Sequence, residues 1–168
     1  MKRLAFVLLL ASCYDWNALS SVPDFSGNYV VVMTNGDDGC KIGNNGTGWM
    51  VGMMSDGIPL DVTQSSNQVV ATVGGISGTA LNLFCGTNQL VGTVSQGAMD
   101  VSIQCPKESR QNTCVFHYLA HAHATLSGNH ITGTIDYTTI ITTMTADCLA
   151  PQPLPNCKST QTFTGNRG

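Results

Sequence analysis

Cys40, Cys85, Cys105, Cys114, Cys148 and Cys157 constrain this chain more than any other feature of its sequence. They are an even set, spread widely, with a seventh cysteine, Cys13, standing apart near the start. A zinc site is the competing use of so many thiols, but no Cys-x2-Cys pair occurs, and the closest spacings, Cys105 to Cys114 and Cys148 to Cys157, suit loops better than metal knuckles. Three disulfides in an exported domain are therefore expected. Charged residues make up only 10% of the 168, against about 25% in an ordinary soluble protein, so hydroxyls and amides must solvate the surface. No basic patch is present for nucleic acid, whose binding depends on neutralised phosphates.

Residues 1–13 read as a basic start (Lys2, Arg3), an apolar run from Leu4 to Leu10, and then Leu10-Ala11-Ser12-Cys13. The run is too short to cross a bilayer as a helix, which takes roughly 20 residues. The last quartet resembles the lipobox of bacterial lipoproteins. That resemblance implies cleavage before Cys13, acylation of its sulfur and a lipid anchor in the membrane. With Tyr14 and not Asp after the cysteine, it favours the outer membrane if the cell has one. The division expected is a signal peptide over 1–12, a tether over 13–25 and a single β-barrel domain over 26–168. Removing the leader leaves five Lys and Arg against ten Asp and Glu, hence a net charge of about −5.

From Gly27 onward, short runs of β-branched and aromatic residues alternate with Asn, Gly, Asp and Ser, and no helical period is sustained. Strands are expected near 27–34, 46–54, 58–64, 67–74, 78–85, 89–95, 98–104, 114–126, 130–143 and 159–164. A weak repeat, Asn67-Gln-Val-Val-Ala-Thr-Val73, Asn88-Gln-Leu-Val-Gly-Thr-Val94 and Asn129-His-Ile-Thr-Gly-Thr-Ile135, supports a meander of hairpins. Its last two copies put a glycine on the apolar face, as at a tight barrel bend. A sheet of this many strands closes or splits. Phe25-Ser-Gly27-Asn-Tyr29 resembles the Gly-x-Trp opening of lipocalins and related barrels such as avidin, with Tyr in place of Trp. The fold expected is thus all-β: an antiparallel up-and-down meander closed into an 8- to 10-stranded lipocalin-like barrel with three disulfides, the last strand pairing with the first.

The stretch from Cys114 to Leu126 alternates cleanly. Phe116, Tyr118, Ala120, Ala122, Ala124 and Leu126 share one face, and His117, Leu119, His121 and His123 the other. A tight hairpin at Gly128 that keeps the apolar sets together pairs Leu126 with Ile131, which sets His121 opposite Asp136 and His123 opposite Thr134. Two imidazoles at i and i+2 with a cross-strand carboxylate make His121, His123 and Asp136 a metal candidate, set against the plainer reading of a solvated His/Thr face with one ion pair. Phe116, Tyr118 and Tyr137 line the expected interior and are the candidate contacts for a small apolar ligand.

Other candidates fail on spacing. Asn35-Gly-Asp37-Asp38-Gly39 lacks the distal Glu of a calcium loop, and Gly75-Ile-Ser77-Gly78-Thr79 misses the last glycine of a nucleophile elbow. Glu108 is the only glutamate, so a paired-carboxylate hydrolase would need aspartates from separate strands. Met50, Met53 and Met54 beside Trp49 read as core filling.

The same registers order the cysteines. A hairpin at Gln96-Gly97 pairs Val94 with Met99 and brings Cys85 near Cys105; Phe116 opposite about Ile141 brings Cys114 near Cys148; a last strand antiparallel to the first brings Cys157 near Cys40. Cys40–Cys157, Cys85–Cys105 and Cys114–Cys148 are the expected bridges, at one end of the barrel. Cys105–Cys114 is the alternative after a two-residue slip. Three functions stay open: a non-enzymatic binding module for a small apolar ligand or an envelope partner, a structural or assembly lipoprotein with a filled core, and a metal-binding protein or enzyme. No cofactor is expected, and the first is preferred.

Overall fold

The computed structural model describes residues 22–42 and 49–168. Cys13, the lipobox, most of the tether and the start of the strand expected at 46–54 lie outside the described residues. The strands are β1 Gly27–Asp38, β2 Met54–Ser65, β3 Gln68–Val73, β4 Gln89–Ser95, β5 Ala98–Gln104, β6 Ser109–Gln111, β7 Cys114–Ser127, β8 His130–Thr143 and β9 Ser159–Arg167. Among the described residues, the α-helix α1 spans Gly75–Cys85 and a 3-10 turn spans Ala146–Cys148. Eight strands close an antiparallel barrel in the order β1-β2-β3-β4-β5-β7-β8-β9, with β9 back on β1 and β6 as a flap on β7.

Inward residues are those that the alternation selects. Tyr29 and Val31 of β1, Val62 of β2, Val69 and Ala71 of β3, Met99 and Val101 of β5, Ala122 and Ala124 of β7, Ile131 of β8 and Phe163 of β9 are all buried in one core. Leu126↔Ile131, His121↔Asp136 and Val94↔Met99 are paired in the ladders. Small residues let the large ones in. A Cβ on Gly133 would stand 2.5 Å from the Phe163 ring, so Phe163 occupies the space that a side chain at 133 would take.

Three expectations are corrected. In the described part of 46–54, residues 49–53 are turn and loop, and Met54 belongs with 58–64 to one strand, β2. The segment at 78–85 is helix. Gly78 and Cys85 are buried with Leu81 packed on the core, a 3-and-4 spacing that only a helix puts on one side. The turn into α1 needs a glycine, since Gly75 has φ +62, and Gly86 ends the helix in the left-handed region while its N–H donates to Asn82 O. The copies of the repeat at Asn67 and Asn88 therefore start strands that α1 joins, so the stretch between them is a strand and a helix and not a hairpin.

The disulfides join Cys40 to Cys157, Cys85 to Cys105 and Cys114 to Cys148, with Cα separations of 4.8, 4.5 and 5.1 Å. All lie at the end of the barrel where β1 finishes, β9 begins and α1 sits, here the bridged end. The opposite, hairpin end carries the β2–β3, β4–β5 and β7–β8 turns, the start of β1 and the end of β9.

Side chains close the hairpin end. Phe25 is fully buried there, its N–H donating to Gln64 Oε1 at 2.9 Å. The Tyr29 hydroxyl donates to Phe25 O at 2.9 Å and accepts from Arg167 Nε and Nη2 at 3.1 and 2.8 Å, and the guanidinium lies 5.4 Å from the Tyr29 ring centre. Tyr29→Phe keeps the ring but leaves these groups without their partner, so a loss of about 1–3 kcal/mol is expected in urea unfolding. An unchanged midpoint would show that the hydroxyl ties nothing.

Candidate functional site

The outer face of β7 presents His121 and His123 at half exposure, because inward parity is taken by Ala120, Ala122 and Ala124. The carboxylate that meets them is Asp100 of β5. His123 Nδ1 lies 2.8 Å and His121 Nε2 3.7 Å from Asp100 Oδ1. Asp136 stands opposite His121 in the ladder, but its Oδ2 lies 3.0 Å from Lys158 Nζ. The triad expected from sequence is therefore not assembled: the cation from the start of β9 takes Asp136. Among the described residues, no group of three His, Cys, Asp or Glu is placed to hold a metal ion. Zinc added to chelator-treated protein is expected to leave the thermal midpoint unchanged. A rise of about 2.7 kcal/mol at a 100-fold excess over a dissociation constant would restore the metal reading.

Of the interior candidates, Phe116 is buried in a second cluster with Cys114, Cys148 and Leu154, edge-on to Tyr118 with centroids 5.2 Å apart. Tyr137 donates to Gln161 Oε1 at 2.5 Å, and Gln161 Nε2 donates to Asn35 Oδ1 at 2.6 Å. Burial pushes the Tyr137 phenol well above its ordinary value, which keeps it a neutral donor. Trp49 packs edge-on against Tyr137 at 5.8 Å, its indole N–H donating to Gly36 O at 3.0 Å. These three aromatics thus meet packing and hydrogen-bond partners in the folded chain. Two shallow concavities open outward, one along α1 and the other on β2, β3 and β4.

The turn at Asn35 to Gly39 is built into the wall. Asn35 and Asp38 belong to β1, and the Ser159 hydroxyl donates to Asp38 Oδ1 at 2.8 Å. Ser77 lies in the first turn of α1 just after β3, but the positive-φ residue of that strand-to-helix turn is Gly75 and not the serine, unlike a nucleophile elbow. Beside the bridged mouth, Thr113 donates from both its backbone N–H and its hydroxyl to Asp147 Oδ2, and these bonds hold the Asp147 carboxyl below its usual range.

Sequence reasoning missed the feature that most sets this surface apart. Thirteen large apolar side chains are exposed among the described residues, and nine of them gather at the bridged end. Met50, Val51, Met53 and Met54 precede or open β2, Ile76, Leu83 and Phe84 lie on α1, and Met144 and Leu149 follow β8. The methionines expected in the core are 42% to 64% exposed, because β2 begins beyond the reach of β3 and this arm has a partner only in β1. Assigning 78–85 to a strand hid the rest, since only a helical period puts Ile76 and Leu83 together.

Comparison with known proteins names no family. No family model matches the chain, and no curated protein matches it. A solved structure described as EF1p2_mFAP2b bound to DFHBI aligns over 85% of this chain and 93% of its own, at 14% identity and a TM-score of 0.42. DFHBI is a ligand of that protein, and a superposition this loose carries no inference to the present chain.

Proposed function

We propose that this chain is an exported, lipid-anchored protein of the cell envelope whose barrel is a non-enzymatic docking module, meeting a macromolecular partner with its bridged end. The observation that carries the reading is the gathering of nine of thirteen exposed large apolar side chains at that end. Exposed apolar groups concentrated in one region mark interaction surfaces. The core favours a partner outside the barrel over an apolar ligand within it: Tyr29, Met99, Ile131 and Phe163 fill the interior, and entry of a ligand would need them to move.

The anchor supports the same orientation. Leu10-Ala11-Ser12-Cys13 resembles a lipobox, and the described chain enters at the hairpin end through Val22 to Phe25. Nine residues from Cys13 to Val22 reach at most ~30 Å, short of the ~45 Å run of the 14-residue β7 between the two ends. An acylated Cys13 would hold the hairpin end toward the lipid and turn the bridged end away.

Two measurements test this. Cys13→Ala is expected to lose fatty-acid label and membrane pelleting in an exporting host; labelled, pelleted protein would end the anchor reading. The unaltered chain is expected to run in an envelope complex on native gels, and Ile76→Ser with Leu83→Ser is expected to keep the melting temperature, since both side chains are exposed, and to remove that complex. A complex that survives the double substitution would end the docking reading.

A further inference from the structure

We propose that α1 is a self-association face, its partner being the α1 of a second copy of this chain in an antiparallel, two-fold pair. The proposal deepens the docking reading and rests on it. The helix shows two sides. Gly78, Leu81 and Cys85 face the barrel, while Ile76, Thr79, Ala80 and Leu83, at i, i+3, i+4 and i+7, form an outward stripe. Ile76 is 91% exposed and Leu83 is 65% exposed.

The order along the stripe is large, small, small, large. Reversed, it reads the same, so a second helix laid antiparallel sets Ile76 against the other copy's Leu83 at both ends of the contact and small residues against small ones at the crossing. That self-complementarity is what an isologous two-fold contact requires. The stripe is already concave there, as Gly75, Ile76, Thr79, Ala80 and Leu83 line one shallow depression.

Polarity and support agree. No residue of α1 is charged, so two copies meet without like-charge contact on the helix, although the chain as a whole is acidic. The hydroxyl of Thr79 donates to Gly75 O at 3.0 Å, leaving the stripe no unpaired side-chain donor to bury. The helix is held in place before any partner arrives. The Cys85–Cys105 bridge ties its last residue, Lys107 Nζ donates to Leu83 O at 2.6 Å, and Gly78 is pressed so close to Val73 O that a Cβ would stand 2.0 Å from it.

Where the rest of the chain lies selects the occupant. The residues before Val22 join at the hairpin end. The nine residues from Cys13 to Val22 are too few to fold back along the barrel and cover α1. Neighbouring copies anchored alike carry α1 at the same height. Two 11-residue helix faces bury less than the ~1,200 Å² that a stable dimer needs, so the pairing is weak in dilute solution and favoured by crowding on a membrane.

Oxidative cross-linking of the exported full-length chain decides the matter. Ala80→Cys, at the predicted crossing, is expected to give disulfide-linked dimer under mild oxidation at about tenfold or more the level from Gln68→Cys at the hairpin end. Adding Ile76→Glu, at an exposed position, is expected to return the dimer to that background with the melting temperature unchanged. Equal cross-linking of Ala80→Cys and Gln68→Cys overturns the proposal, as does a dimer indifferent to Ile76→Glu. So does an Ala80→Cys adduct to a different protein, or binding of Cys13→Ala protein to phosphatidylglycerol vesicles that Ile76→Glu removes. If Ile76→Ser with Leu83→Ser abolishes the envelope complex while no self-cross-link forms, the docking reading stands and the second copy is excluded.

Discussion

Gly92→Ala is expected to yield no folded barrel, or one weakened by at least about 3 kcal/mol, well above the usual cost of a single methyl group. A Cβ at that position would lie 1.9 Å from Asp100 O and 2.8 Å from Val101 Cα, where only backbone is available to give way. Gly92 pairs with Val101 in the β4–β5 ladder, and β5 is the strand that closes the ring onto β7. A shift of β5 away from β4 would therefore strain the closure registers. Gly97→Ala is the control: it has φ +85 but nothing within 4 Å of the added carbon, so about 1 kcal/mol of backbone strain is expected. Urea unfolding of the two variants distinguishes crowding from strain. A Gly92→Ala protein as stable as Gly97→Ala would show that the two strands do not approach as described.

Removing the bridges is expected to destabilise in the order of the loops they close. Cys40 and Cys157 are 117 residues apart, Cys114 and Cys148 are 34, and Cys85 and Cys105 are 20. Loop-closure entropy then assigns about 4–5 kcal/mol to the first and about 3 kcal/mol to the last. The Cys40→Ala/Cys157→Ala pair should give the largest drop in denaturant midpoint of the three double substitutions. It also frees the loop after β1 from the start of β9, where Cys40 N–H donates to Ser159 Oγ at 3.0 Å. If Cys85→Ala/Cys105→Ala proves the most damaging instead, anchorage of α1 outweighs loop length.

Tight hairpins made the strand registers legible. Once Gly128 is taken as a turn, side-chain parity fixes Leu126↔Ile131, and every pair along β7 and β8 up to Phe116↔Ile141 follows without tertiary information. The glycines of the repeat could be read too, since a glycine among inward residues implies close approach, as at Gly92 and Gly133. Closure of β5 onto β7 was not legible. Residues 105–113 intervene, no short turn sets the register, and so Asp100 could not be placed against His123 before the ring was seen closed. The helix was hidden for another reason: in Gly75–Cys85, apolar residues recur at both two-residue and three-to-four-residue spacings, and only the need to span from β3 to β4 across the bridged end selects the helix.

The clustering of all three bridges at one end gives the barrel a mechanical polarity. Tension on a tether at the hairpin end would load β1 first, peeling it from β9 beginning with the Tyr29↔Arg167 pair, and from β2 on its other side. The β9 seam ends at Asp38↔Ser159, two residues from Cys40. There the covalent link to Cys157 stops the peel, so a pull extends the chain by little more than the length of β1 and leaves the remaining strands as an intact stump. Under such a load the fold would give way by a fixed length and then hold at the Cys40–Cys157 bridge.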